Sequence, residues 1–255
     1  MDTKEFEGRK IMVFGASSGI GRACAVQLGE RGAKVILVGR NQERLEETAK
    51  HIPEGFSVIM PCDVSNFSAA EQVVKDAVKL DGVKLDGCVF SAGIATVVPI
   101  LSVKEEMLKK VFQTNLFSLY GIMKAFASRR ISWDGASFVS ISSESAIVPA
   151  KGQCIYGPAK TAINMYTSIA ATELASRRIR VNAVSPEMVD TPMGHKSLSL
   201  LSPERVQERY PLGKLEPEDI ADTVLFLLSD SSKKITGQII SITAAATGGN
   251  DNFQF

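Results

Sequence analysis

The chain has 255 residues, 45% hydrophobic and 22% charged, with a formal net charge of +1. This is globular composition, which excludes a disordered or fibrous chain, and the near-neutral balance gives no electrostatic reason to bind nucleic acid or an anionic membrane. The polar, acidic start is no signal peptide, and no apolar run nears the roughly 18 residues that span a bilayer, so a cytoplasmic protein is expected.

Short β-branched runs alternate with longer amphipathic stretches. A strand over 11–14 is followed by a helix over 20–31, a strand over 35–38 by a helix over 42–51, and a strand over 58–60 by a helix over 69–80. Strands over 88–90 and 138–141 flank a long helix over 105–128, and a helix over 156–176 leads to a strand over 181–184. A helix over 218–229 and a strand over 239–242 complete the pattern. Such alternation implies right-handed crossovers and an α/β, doubly wound parallel seven-stranded sheet with helices on both faces, of Rossmann type. No linker divides the chain, so residues 1–255 are expected to be one domain. The stretch 191–215, rich in Pro and Gly with Leu198, Leu200 and Leu201 between them, breaks the rhythm and is expected to be a substrate lid. Arg129-Arg130 and Arg177-Arg178 are expected on solvated helix faces. Cys24, Cys62, Cys88 and Cys154 have no metal spacing, and His51 and His195 stand alone, so no metal site is expected.

Between the first strand and first helix lies Gly15-Ala16-Ser17-Ser18-Gly19-Ile20-Gly21. Glycines at that junction let the backbone turn tightly and approach a pyrophosphate, while the helix N-terminus offers free N–H groups and a positive dipole end. After the second strand come Gly39-Arg40-Asn41, with no carboxylate until Glu43. An acidic residue there would bind the ribose hydroxyl of NAD; a guanidinium instead pairs with a 2′-phosphate, so NADP(H) is the expected cofactor. Asp63 and Val64 after the third strand are placed to meet the adenine, and Ser91-Ala92-Gly93 after the fourth flank the cofactor from the other side.

A Tyr and a Lys four residues apart on a helix share a face, and a phenol there can protonate a carbonyl oxygen. An unperturbed phenol titrates near ~10. Lowering it by ~3 units requires about 4 kcal/mol of differential stabilisation from a nearby ammonium. Three pairs have this spacing: Tyr120/Lys124, Tyr156/Lys160 and Tyr210/Lys214. The last encloses Pro211 and Gly213, and Tyr120 lies in an apolar stretch suited to a helix face or a subunit contact. Tyr156 opens a helix beyond strand five, at the sheet edge where ligands of open α/β sheets bind, and Ser142 and Ser143 end that strand.

In order and spacing these motifs, together with Asn115, Val181-Asn182-Ala183-Val184-Ser185-Pro186, Thr191 and Ile235-Thr236-Gly237-Gln238, resemble the single-domain short-chain dehydrogenase/reductase family over about residues 8–243, and within it the 3-oxoacyl-[acyl-carrier-protein] reductases. The resemblance implies an NADP(H)-dependent oxidoreductase that reduces a ketone, a 3-oxoacyl thioester or another apolar or cyclic carbonyl. It implies Tyr156 as acid/base and Ser143 as the hydroxyl that bonds the substrate oxygen. It further implies Lys160 on the nicotinamide ribose, lowering the tyrosine's pKa, and Asn115 holding a relay water. Pro186, Val189 and Thr191 match positions at the carboxamide end of the cofactor, and a homotetramer or dimer is implied.

The chain departs from the family pattern at four places. Phe14 stands for the usual Thr, Ser91 for the Asn of Asn-Ala-Gly, and Glu187 for the Gly of Pro-Gly, which puts a carboxylate near the nicotinamide pocket. The segment from Ser241 to Gly249 replaces Val-Asp-Gly-Gly. Apolar residues expected around the substrate are Ile94, Val97, Val98, Ile147, Val148, Met193 and Leu198. Two other readings stay open: a non-catalytic NADP(H) sensor or scaffold, and an NAD-dependent alcohol dehydrogenase.

Overall fold

A computed structural model describes residues 4–199 and 202–246. Leu200, Leu201 and the 247–249 part of the unusual C-terminal segment lie outside the described residues. Seven parallel strands lie in the order β3-β2-β1-β4-β5-β6-β7. They are β1 (Lys10–Phe14), β2 (Lys34–Gly39), β3 (Ser57–Pro61), β4 (Leu85–Phe90), β5 (Ser132–Ile141), β6 (Arg180–Pro186) and β7 (Ile239–Ile242). The order reverses at β1/β4, the switch point that opens a crevice beyond the strands' carboxyl ends.

The strands are apolar on successive residues because both faces are covered. Met12, Phe14, Phe90 and Phe138 pack on one face against α3 (Phe67–Lys79), α5 (Ser118–Phe126) and α6 (Tyr156–Leu174). Ile11, Val13, Leu37 and Val139 pack on the other, against α1 (Gly19–Glu30) and α9 (Pro217–Leu228). Each fully buried Phe or Leu contributes on the order of 2 kcal/mol, which makes the sheet faces the main source of stability.

Helix starts follow side-chain caps. Asn41 Oδ1 accepts the Arg44 N–H at the start of α2 (Gln42–Ala49), and Asn66 Oδ1 accepts the Ala69 N–H at the start of α3. Glu216 and Asp219 form a reciprocal box at the start of α9. The helix expected over 105–128 is instead α4 (Glu105–Phe112), a π-turn over Gln113–Phe117, and α5. The wide turn inserts one residue's worth of slack, a local feature that hydrophobic periodicity does not register.

Arg177 corrects the expectation of a solvated pair. It is buried, and its guanidinium donates to Ala127 O and Ser132 O, both at 2.8 Å, and to Asp134 Oδ1, closing the end of α5. Arg178 and Arg129-Arg130 are exposed as expected. Arg180 serves α9 in the same way, donating to Ser229 O at 3.0 Å and Leu228 O at 3.3 Å.

At the sheet edge away from the crevice, the fully buried Lys10 ammonium donates to Ala77 O at 2.7 Å, Val83 O at 3.2 Å and Asp81 Oδ1 at 2.6 Å. Ala244 and Ala245, just past β7, have φ of +49° and +56°. This left-handed region costs a non-glycine residue roughly 1 kcal/mol or more, and here it lies where the resemblance expects Gly-Gly. No helix among the described residues is long and apolar enough to cross a membrane.

Candidate active site

The expected site residues gather at the carboxyl ends of β1 to β6, on the loops there, on the π-turn and on the first turns of α1 and α6, and the loops carry the sheet's bonding outward. Gly15 N–H and Ala16 N–H both donate to Val38 O, Ser91 N–H to Phe14 O, Cys62 N–H to Gly39 O, and Ser142 N–H to Val184 O.

The glycine loop is built for close approach. Gly15 has φ +80°, and a Cβ there would sit 2.8 Å from Ser91 C; one on Gly21 would sit 2.3 Å from Gly15 O. No substitution larger than hydrogen fits at Gly21 without moving backbone. Ser18 is the N-cap of α1 but makes no side-chain cap bond, and the first turn holds no acidic residue. The first turn of α1 thus sets no carboxylate of its own against the helix N–H groups and the positive dipole end, which suits a pyrophosphate. The loop is braced from behind by two residues that sequence patterns did not single out. Arg22 donates to Ser17 O at 2.9 Å and to Thr48 Oγ1 at 3.0 Å, and Thr48 donates to Ala16 O at 2.9 Å. Their link spans 26 positions and two helices, so no local signal carries it.

Arg40 is exposed at the end of β2. Asn41 corrects its expected role in part, since its side-chain oxygen is committed to capping α2. Asp63 accepts the Ser65 N–H. Val64 and Val189 are packed into the two cores, and Pro186 is buried, so what these three offer the crevice is main chain. Thr191 lies across the glycine loop, its Cγ2 2.9 Å from where a Gly19 Cβ would be. A cavity of about 650 Å³ flanks Thr191, lined also by Asp190, Pro192, His195 and Ser199; the groups below lie outside it.

Ser143, Tyr156 and Lys160 converge. Ser143 Oγ accepts the Ser145 N–H at 3.2 Å, so its own O–H stays available on the side of the Tyr156 phenol, whose pKa it acts to lower. Lys160 is buried one helical turn on, with Nζ 5.5 Å from the Tyr156 ring centre and donating to Ile141 O at 2.7 Å. Asn115, placed by the π-turn, clamps Ile94 from both sides: it accepts the Ile94 N–H at 2.8 Å and donates to Ile94 O at 2.9 Å. Gly93 lies between them: a Cβ there would be 3.4 Å from Asn115 Oδ1 and 3.8 Å from Lys160 Nζ, ordinary contact distances.

The expected depression of the Tyr156 pKa is absent. Burial pushes the phenol up to about 12, and only the Ser143 hydrogen bond pulls the other way. Burial likewise brings Lys160 down to about 8. In a low-dielectric setting the loss of hydration disfavours the charged form of each group, and the ammonium is turned to a carbonyl instead of the phenol oxygen. The Asn115 side chain uses one oxygen lone pair and one N–H on Ile94, while its main chain lies in the π-turn beside them.

The competing tyrosines are elsewhere. Tyr120 stacks on Tyr166 with ring centres 4.0 Å apart, and Lys124 pairs with Glu71. Tyr210 is fully buried, and Lys214 bridges Asp190 and Glu216. Of the apolar residues expected at the substrate, Val97, Ile147, Val148 and Met193 are exposed, whereas Val98 and Leu198 are buried and unavailable. Val98 faces inward because its loop pairs with 150–153 through Val98 N–H to Gly152 O.

Residues 15–244 match the family model described as enoyl-(acyl carrier protein) reductase. Among curated proteins, the 3-oxoacyl-[acyl-carrier-protein] reductase of Thermotoga maritima is 33% identical over 243 residues, 92% of this chain and 96% of that one. The L-xylulose reductase of Mus musculus is 32% identical over 244 residues, 92% of this chain and 95% of that one. Among solved structures, a short-chain dehydrogenase/reductase from Brucella melitensis titled glucose/ribitol dehydrogenase superposes with a TM-score of 0.88. It is 29% identical and covers 94% of this chain and 97% of its own. By this family match and these relatives, the chain is an oxidoreductase of the short-chain dehydrogenase/reductase family.

Proposed function

We propose that the protein is an NADP(H)-dependent ketone reductase of the cytosol whose substrate is an apolar or cyclic carbonyl such as a 3-oxoacyl thioester. The observation that carries this is the convergence of Ser143 and the Tyr156 phenol beside a buried Lys160. When bound, the nicotinamide supplies the hydride. Tyr156, which burial keeps protonated at neutral pH, donates its phenolic proton to the carbonyl oxygen while Ser143 orients that oxygen. Lys160 remains largely an ammonium at pH 7; in this reading it holds the nicotinamide ribose and opposes the build-up of negative charge on Tyr156 as the proton leaves. Asn115 keeps Ile94 and the wide turn in place, with its main chain as the end of a proton path.

The exposed Val97, Ile147, Val148 and Met193 around these groups favour an apolar substrate over a sugar, whose hydroxyls would find few partners there. Residues 191–215 act as a lid over that pocket. Assembly as a homotetramer or dimer is supported by the exposed Phe117, Tyr120, Met165 and Ile169 on α5, α6 and the turn before α5.

Arg40 supports NADP(H), because it stands exposed at the end of β2 with no carboxylate at the ribose position. Wild-type protein should bind NADPH at least about tenfold more tightly than NADH, and Arg40→Asp should erase or invert that ratio, a change of about 1–3 kcal/mol. Titration of both cofactors by fluorescence measures it. A wild-type preference for NADH would instead identify an NAD-dependent enzyme.

A further inference from the structure

The segment that follows β6 carries α7 (His195–Leu198) and α8 (Pro203–Arg209). Both ends of the excursion are fastened to the sheet edge. Asp190 N–H donates to Leu215 O at 2.8 Å, Val189 bridges to Leu215, and Leu212 N–H reaches Ala244 O at 3.4 Å. The helix α8 between them is seven residues long and buries none of its own side chains. A helix that short is unstable on propensity alone, and with no apolar face turned inward it lacks the packing that normally holds one.

Its hold is polar and lies at its last turn. Arg209 Nη2 donates to Glu187 Oε1 at 2.7 Å, both side chains being mostly covered, with 12% and 20% exposure. Arg209 Nε donates to Tyr210 Oη at 3.1 Å, which brings the Tyr210 hydroxyl beside Glu187. Tyr210, the next residue, is entirely buried. Glu187 itself is the first residue past β6, and its N–H is fixed to Ile242 O at 2.9 Å. The carboxylate that replaces the family's glycine is thus engaged by an arginine and a phenol from the far end of the lid. It sits two residues before Val189, at the floor of the crevice.

We propose that Glu187, Arg209 and Tyr210 form a latch that holds α8 over the substrate pocket, with Glu187 and Arg209 as positioning residues that govern substrate capture and leave the chemical step alone. The proposal rests on the reading of 191–215 as a lid. A truncated pair leaves the partner charge half-buried and uncompensated, so loss of either residue releases the helix. Because the latch lies outside the Ser143–Tyr156–Lys160 cluster, release weakens substrate binding without changing proton transfer.

The test combines hydrogen exchange of residues 203–210 in the ligand-free protein with steady-state kinetics under saturating NADPH. Arg209→Met and Glu187→Gln should each speed exchange of that segment by about tenfold and raise KM by about tenfold, with kcat within about threefold of wild type. The double variant should be no worse than either single change, since the two residues form one contact. Arg209→Lys, which keeps the charge, should recover most of the loss and serves if Arg209→Met is poorly folded. Unchanged exchange in both single variants would overturn the latch, as would additive effects or a fall in kcat at constant KM. Exchange needs no turnover, so it judges the latch even if the reductase reading fails. A latch released in exchange while no ketone is reduced would count against the function alone.

Discussion

Tyr156→Phe should lower kcat for ketone reduction by about 10³-fold while leaving NADPH affinity within about threefold of wild type. The change removes one oxygen and keeps the ring, so packing at the start of α6 is preserved. It deletes the hydroxyl that lies beside Ser143 and that the substrate oxygen would use. Because burial holds the Tyr156 phenol high, at about 12, the reduction direction starts with the proton already in place. Lys160, brought to about 8, keeps most of its charge at pH 7. Pre-steady-state NADPH oxidation separates the chemical step from cofactor binding. A rate within tenfold of wild type would remove Tyr156 from the chemistry and leave proton delivery to another group.

The second large effect is on stability, at the opposite end of the sheet. Asp81→Asn should destabilise the fold by about 3 kcal/mol, because it strips the fully buried Lys10 ammonium of its counter-charge at 2.6 Å. Lys34, on the other oxygen of Asp81 and well exposed, contributes far less. Burial alone would raise the Asp81 carboxyl; hydrogen bonds from Lys10, Lys34 and the Val83 N–H outweigh it and hold the group well below the usual carboxylate range. A folded-state value below the unfolded one contributes stability that is present above about pH 4 and is lost as pH falls through the folded value. The gap between wild type and Asp81→Asn should therefore be full at pH 7 and narrow below about pH 4. Urea unfolding at both pH values measures it, and coincident midpoints at pH 7 would contradict the account.

Much of this architecture is legible in the residues. The seven apolar runs mark seven strands because a sheet covered on both faces demands apolar side chains at successive positions. Gly15 and Gly21 are legible because backbone approach leaves no room for a Cβ, and Gly19 because it turns with a φ of +52°. Ser143 is placed by its position at the end of β5, and the choice of Tyr156 among three candidates by Pro211 and by the burial expected of Tyr120's neighbours. Those neighbours are buried except Phe117, and Tyr120 itself is 43% exposed and stacked on Tyr166.

What escaped is chiefly contact between distant positions. The π-turn that delivers Asn115 leaves the apolar period almost intact, so the helix over 105–128 looks continuous. Arg177 resembles any surface arginine until β5 and α5 bring carbonyls to it. Glu187 stood out as a departure, but its partner lies 22 residues away across a stretch without periodicity. The start of α8 carries a local signal: Ser202 caps it by accepting the Arg205 N–H, with Pro203 at the first position. The tyrosine's pKa was misjudged because spacing specifies which side chains share a face, and not how much water each one loses.

The most direct measurement mixes the purified protein with NADPH and a panel of 3-oxoacyl thioesters, cyclic ketones and ketoses, following absorbance of the reduced nicotinamide and formation of the alcohol. The account predicts oxidation of NADPH matched one-to-one by a secondary alcohol, fastest with the apolar ketones and lost in Tyr156→Phe. Tight binding of NADPH with no oxidation by any ketone would contradict it, and would make the protein a sensor or scaffold on a reductase fold.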